Sequence, residues 1–69
     1  MTASEAYLAI NRRMVRPAFP TKRAIKTNTV DGIIRSAWTD GTFAVDHCWS
    51  EDDGNVTIRY RPEELIFAD

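Results

Sequence analysis

His47 and Cys48, the single histidine and the single cysteine of the chain, stand side by side. An imidazole next to a thiol is the raw material of a metal-ligand pair or of a thiolate–imidazole couple. The surrounding stretch, FAVDHCW, reads as a β-strand, and neighbouring strand residues point to opposite faces, so the two side chains should diverge. A structural zinc site wants four cysteine or histidine ligands, and this sequence owns two candidates in total. Cys48 therefore reads as a small hydrophobe and His47 as a polar neighbour at the edge of the core. The adjacent acids Asp52-Asp53 and Glu63-Glu64 fall in turn-forming stretches, where neither burial nor a charged neighbour tunes a carboxyl for proton transfer. Three glycines supply no phosphate-cradling loop, and no serine or cysteine has an evident base and orienting group. The expectation is a chain that is not an enzyme and that uses no metal and no cofactor.

Binding chemistry is better represented. Residues 1–30 hold Arg12, Arg13, Arg16, Lys22, Arg23 and Lys26 against Glu5 alone, a balance of +5, whereas residues 31–69 stand at −6; the whole chain is −1. Such a split implies either that the halves dock on one another or that they meet partners of different charge. The arm made by Arg12, Arg13, Arg16, Lys22 and Arg23 is the candidate nucleic-acid contact, because phosphates would neutralise it. Against that reading, a pI near 5.7 lies far below the usual nucleic-acid footprint. Trp38, Phe43, Trp49, Tyr60 and Phe67 could cage a cation through their π faces, but in so small a domain large aromatics serve the core first. Trp38, Trp49 and Tyr60 are the candidate contact residues, a partly exposed tryptophan foremost. A third reading uses the acids: Asp40, Asp46, Glu51, Asp52, Asp53, Glu63 and Glu64 could imitate a phosphate backbone. That would make the chain an inhibitor of a nucleic-acid-binding protein, as a mobile element might encode.

Sixty-nine residues bound the scaffold to one domain with a thin stability margin, and one cysteine rules out an internal disulfide. No apolar run approaches the length of a membrane span, and MTASEAYLAINRRM lacks the order of a signal peptide. A soluble, cytoplasmic protein that does not engage membranes is expected. Thr2-Ala3-Ser4-Glu5 spells a capping box. Ala3, Tyr7, Ile10 and Met14 follow on one stripe, with Ala6 beside it, which predicts a helix over 3–14 whose stripe must dock on something. Pro17 then blocks further helix, and RPAFPTKR (16–23) reads as a basic, stiff linker. It superficially matches a polyproline-type ligand, although a connector with Phe19 on the core suffices.

From residue 23 the texture is β, with strands expected at 24–27, 29–38, 42–49, 56–61 and 65–67. Asp40-Gly41 predicts a two-residue hairpin turn, since glycine accepts the positive φ required there. That loop sets Trp38 opposite Phe43, Ser36 opposite Val45 and Ile34 opposite His47 on one face, with Arg35 opposite Asp46 on the other. The Arg35–Asp46 match marks the solvent side. The predicted core is Ile34, Trp38, Phe43, Val45, Ile58 and Leu65. Pro62-Glu-Glu suits a single tight helical turn before the last strand.

The order DGIIRSAW, DG, then F-x-V, then V-x-I-R-Y-R-P-E-E-L-I-F resembles the SH3-like small barrels of the Tudor, KOW and chromo type over about residues 23–67. In those barrels a central hairpin is followed by a strand, a short 3₁₀ turn and a final strand. With the helix and linker placed over 1–22 by their own residues, the resemblance implies a five-stranded SH3-like barrel over 23–69. It also implies an aromatic cage if the chain is of Tudor type, or nucleic-acid or ribosome contact if of KOW type. The early basic-glycine segment of the KOW pattern is replaced here by Thr29-Val30-Asp31-Gly32. Together these point to an accessory or regulatory module that binds a protein and could act as a homo-oligomer, with nucleic-acid binding by the basic arm or acidic inhibition of a nucleic-acid-binding protein as the alternatives.

Overall fold

The capping box forms as the sequence spells it. In a computed structural model that describes residues 1–18, 31–48 and 55–69, Thr2 Oγ1 accepts from the Glu5 amide at 3.1 Å. Glu5 Oε1 accepts in return from the Thr2 amide at 2.8 Å. Helix α1 that follows is shorter than its apolar stripe suggested, running Ala3–Ala9. It stops because Asn11 takes a left-handed conformation, φ 57°, a geometry that asparagine tolerates better than most residues. The amides of Arg12 and Arg13 both turn back to the Ala9 carbonyl, at 2.9 and 3.2 Å. Asn11 itself donates to the Ile34 carbonyl at 2.8 Å, which ties the helix end to the sheet. The docked stripe changes accordingly. Ala6 and Ala9 are buried and Ile10 packs beside them, whereas Tyr7, expected inside, is 59% exposed and touches Phe43 only edge-on at 5.1 Å. Two methyl groups at i and i+3 let so short a helix lie close against its support.

With the helix ended, the chain is free to extend. Strand β1 is Met14–Pro17, a segment whose sequence reads as helix end and linker. Strands β2 (Gly32–Ala37), β3 (Phe43–Cys48) and β4 (Asn55–Tyr60) follow, then a 3₁₀ turn over Pro62–Glu64 and strand β5 (Leu65–Phe67). The result is a mainly β chain: one short N-terminal helix and a five-stranded antiparallel sheet in the order β4-β3-β2-β1-β5. Proline is tolerated in β1 because Pro17 pairs only with Leu65 of β5, whereas the ladder to β2 involves Met14 and Val15. The backbone pairs Ala18 N to Glu64 O (2.7 Å) and Ala68 N to Met14 O (2.9 Å) extend the β1–β5 contact at both ends. The 3₁₀ turn has proline at its start and is closed by Glu64 Oε1, which accepts from the Arg61 amide at 2.9 Å. The Met1 ammonium donates to the carbonyls of Pro62 and Leu65 at 3.0 and 2.8 Å and so fastens the helix entrance to this corner. The strand expected at 24–27, together with Phe19, lies outside the described residues.

The β2–β3 hairpin departs from the expected register in two steps. Its loop has three residues, Thr39-Asp40-Gly41, not two: Trp38 N donates to Thr42 O at 2.8 Å and Gly41 N to Trp38 O at 3.1 Å. Gly41, at φ 87°, takes the left-handed position that such a loop needs at its third residue. That slip of one sets Ala37, not Trp38, opposite Phe43 and turns Trp38 to the outer face. A β-bulge between Ile34 and Ser36 adds a second slip, so Ile34 meets Val45 and Gly32 meets His47. Two slips restore the parity, and Ile34 and Val45 point inward as expected. The core is Ala6, Ala9, Val15, Ile34, Phe43, Val45, Tyr60 and Leu65, with Ile58 packed against it. His47 belongs inside it as well; it is fully buried, not at the edge of the core.

Candidate interaction surface

The register shift brings a large aromatic to the surface. Trp38 stands at the mouth of the hairpin with half of its surface exposed, although its sequence position suggested the core. One face of its ring is covered. The Arg59 guanidinium of β4 lies over it, 4.4 Å from the ring centroid, and Arg59 Nη1 is 3.5 Å from Asp40 Oδ2. Asp40 is itself held by Thr42, whose hydroxyl and amide donate to Oδ1 at 2.5 and 3.0 Å. The Thr42 hydrogen bonds, with Arg59 adding to them, hold the Asp40 carboxyl below the usual carboxylate range. Loop, carboxylate, guanidinium and indole thus form a chain of contacts that ends on a large aromatic surface. The bulge residue Arg35 lies on the same outer side. It donates to Asn11 Oδ1 at 2.8 Å and lies 3.6 Å from Asp46 Oδ2. The Arg35–Asp46 pairing expected from the sequence is therefore present, but diagonally, since Asp46 sits opposite Ile33.

The other candidate residues do not gather here. Tyr60 is fully buried, with its hydroxyl 3.0 Å from His47 Nε2, and Phe43 is likewise in the core. Phe67 is capped by the Arg13 guanidinium, 3.7 Å above its ring. Arg13 also reaches Asp69, with Nη2 at 2.8 Å and Nε at 3.2 Å from its carboxylate. That pairing raises the Arg13 pKa and lowers that of Asp69, the side-chain hydrogen bond being the main cause in both. Arg16 pairs with Asp31 at 3.1 Å, and Arg12 is exposed. Both ion pairs join the basic first thirty residues to the acidic remainder, as internal docking of the halves requires. Lys22, Arg23 and Trp49 lie outside the described residues.

Among the described residues no three histidine, cysteine or carboxylate side chains come close enough to hold a metal ion. Among the same residues no helix is long and apolar enough to cross a membrane. No protein-family model, curated protein or solved structure matches the chain.

Sequence reasoning missed Arg59 as the partner of Trp38 and the full burial of His47. A signal for the first was available: Thr39-Asp40-Gly41-Thr42 places glycine at the third position of a three-residue loop, with a threonine next to receive the aspartate. The bulge at Arg35 has no comparable local signature.

Proposed function

We propose that this chain is an SH3-like small barrel acting as a non-enzymatic protein-interaction module, an accessory or regulatory factor of the cytoplasm. The strand order supports the barrel reading: β1 lies between β2 and β5, the β2-β3-β4 meander follows, and a 3₁₀ turn leads into the last strand. The observation that carries the function is Trp38, half exposed, with the Arg59 guanidinium over its ring and Asp40 paired to that guanidinium. Tryptophan is among the residues that most often dominate a protein interface, and a side chain already held in place loses little freedom on binding. The partner is a protein, either a different chain or a second copy. Nucleic acid as partner is the weaker reading, because Arg13 and Arg16 are engaged by Asp69 and Asp31 of the same chain. The acidic-mimic reading draws on Asp40 and Asp46, which pair with Arg59 and Arg35, on Glu63 and Glu64, and on residues 51–53, which lie outside the described part.

The test is affinity capture from the native cell with three baits: the wild type, Trp38→Ala and Ile66→Ala. Ile66 is the control, an exposed apolar residue on β5, away from the hairpin. Retention of partners by Ile66→Ala and their loss by a folded Trp38→Ala supports the reading. Equal capture by all three baits refutes it.

A further inference from the structure

We propose that β4 is the edge by which two copies of this chain pair, antiparallel, joining their five-stranded sheets into one. Among the described residues β4 stands at the end of the sheet, with β3 as its single neighbour. The hairpin backbone tells which groups of β4 turn outward. Trp38 N donates to Thr42 O, so the Thr42 backbone is directed at β2. Successive residues of an antiparallel strand alternate in this respect, so Phe43, Val45 and His47 direct their amides and carbonyls at β4. Their partners there are Tyr60, Ile58 and Val56. Thr57, between the last two, therefore points its amide and carbonyl away from β3.

The two edges of the sheet differ in how they are guarded. Strand β5 has three residues, and its Leu65 carbonyl accepts from the Met1 ammonium at 2.8 Å. Shortness and a covered backbone keep an edge from pairing. Strand β4 has six residues, no proline and an unbroken register with β3. Its core-side residues also stop short of full burial. Val45 of β3 has no exposed surface, whereas Ile58 opposite it is half-buried, as is Val56. One more strand alongside β4 would complete that cover. The sequence of β4 fits a second copy of itself. Pairing about Thr57 sets Thr57 against the partner's Thr57, Val56 against the partner's Ile58 and Asn55 against the partner's Arg59. Apolar meets apolar on the core side, threonine meets threonine on the outer side, and the two arginines stay apart, as cross-strand matching favours. Arg59 keeps its pairing with Asp40 of its own hairpin. A two-fold contact of this kind uses the same edge on both copies and closes at two.

The experiment is the mass of the full chain in solution, by sedimentation, from about 10 μM to about 1 mM, a range that spans weak association. The wild type is expected to rise twofold in mass with concentration. Thr57→Pro should stay monomeric, because it removes the outward amide on each copy and leaves the bonds to β3 in place. Trp38→Ala should dimerise as the wild type does, which separates this contact from the surface proposed above. If Thr57→Pro does not fold, a mixture of isotope-labelled and unlabelled wild type decides by NMR. The α-protons of Val56 and the partner's Ile58 face one another across the pair, whereas residues two apart on one strand are about 6–7 Å distant. A cross-copy signal between them supports the proposal, and a dimer without it overturns the proposal. So does a dimer that survives in a folded Thr57→Pro or is lost in Trp38→Ala. A chain that is monomeric at every concentration overturns it too, whether or not the edge takes a strand from another protein.

Discussion

Replacing Gly32 by alanine would test how tightly β1, β2 and β3 are drawn together. The added Cβ would lie 2.7 Å from Val45 Cγ1 and 2.9 Å from the Asp46 carbonyl oxygen. An ordinary carbon–carbon contact is about 3.5–4.0 Å, so the methyl arrives roughly 1 Å too close. Neither neighbour can yield cheaply. Val45 is fully buried, and the second obstacle is the backbone of β3 itself. Overpacking of this kind costs ~1–3 kcal/mol. The same substitution stiffens the unfolded chain, which offsets about 0.4–1 kcal/mol where the backbone geometry is compatible. At the midpoints of these ranges a net loss of about 1.3 kcal/mol remains, equivalent to a fall in Tm of roughly 5–10 °C for a domain of this size. Thermal unfolding followed by circular dichroism reads this directly. Gly41→Ala is the companion: nothing lies within 4 Å of its Cβ, but φ 87° is a strained position for any side chain. It should lose about 1–2 kcal/mol for that conformational reason alone. A Gly32→Ala protein as stable as the wild type would refute the close packing of β2 on β3 at Gly32.

Three further outcomes are expected. Ala9→Leu should destabilise by ~1–3 kcal/mol, because a fully buried methyl has no space for a larger side chain; an unchanged urea midpoint would mean that α1 is not docked. Glu5, Asp40 and Asp69 have lowered carboxyl pKa values, so the stability they contribute is present above the unfolded carboxylate range and is lost as pH falls through their folded values; Asp69→Asn should flatten that acid limb, which an acid titration of the unfolding midpoint would show. Binding to generic DNA or RNA at about 0.15 M salt should be weak, and replacing Arg12, Arg13 and Arg16 by alanine should hardly change it. If phosphate contact is the function instead, each lost contact will reduce the log–log salt slope by about 0.7–0.9, and a filter-binding series will reveal it.

What the sequence disclosed was what depends on near neighbours. The capping box at Thr2 and Glu5, the Pro62-Glu-Glu turn and the alternation of β3 and β4 each involve residues a few positions apart. So does the Asp40-Gly41 turn signal, although its loop proved one residue longer. The end of α1 was hidden because Ile10 and Met14 continue a helical stripe while Asn11 breaks the backbone beneath it. Strand β1 was hidden in four residues with a proline, a segment whose ladder partners, β2 and β5, come later in the chain. The outward turn of Trp38 depended on a single slip of register, to which every side chain of a strand is sensitive. The burial of His47 required Gly32, fifteen positions earlier, to stand directly opposite it. Such partnerships become visible only when the sheet is assembled.

The exposure and use of Trp38 can be measured on one reporter. Trp49→Phe removes the other indole, so that fluorescence reports Trp38 alone. In the free chain a soluble quencher should reach the indole readily, as its half-exposed position requires. After addition of the captured partner the same quencher should be shut out. An indole already shielded in the free, monomeric chain, or one equally open in the complex, would contradict Trp38 as the contact.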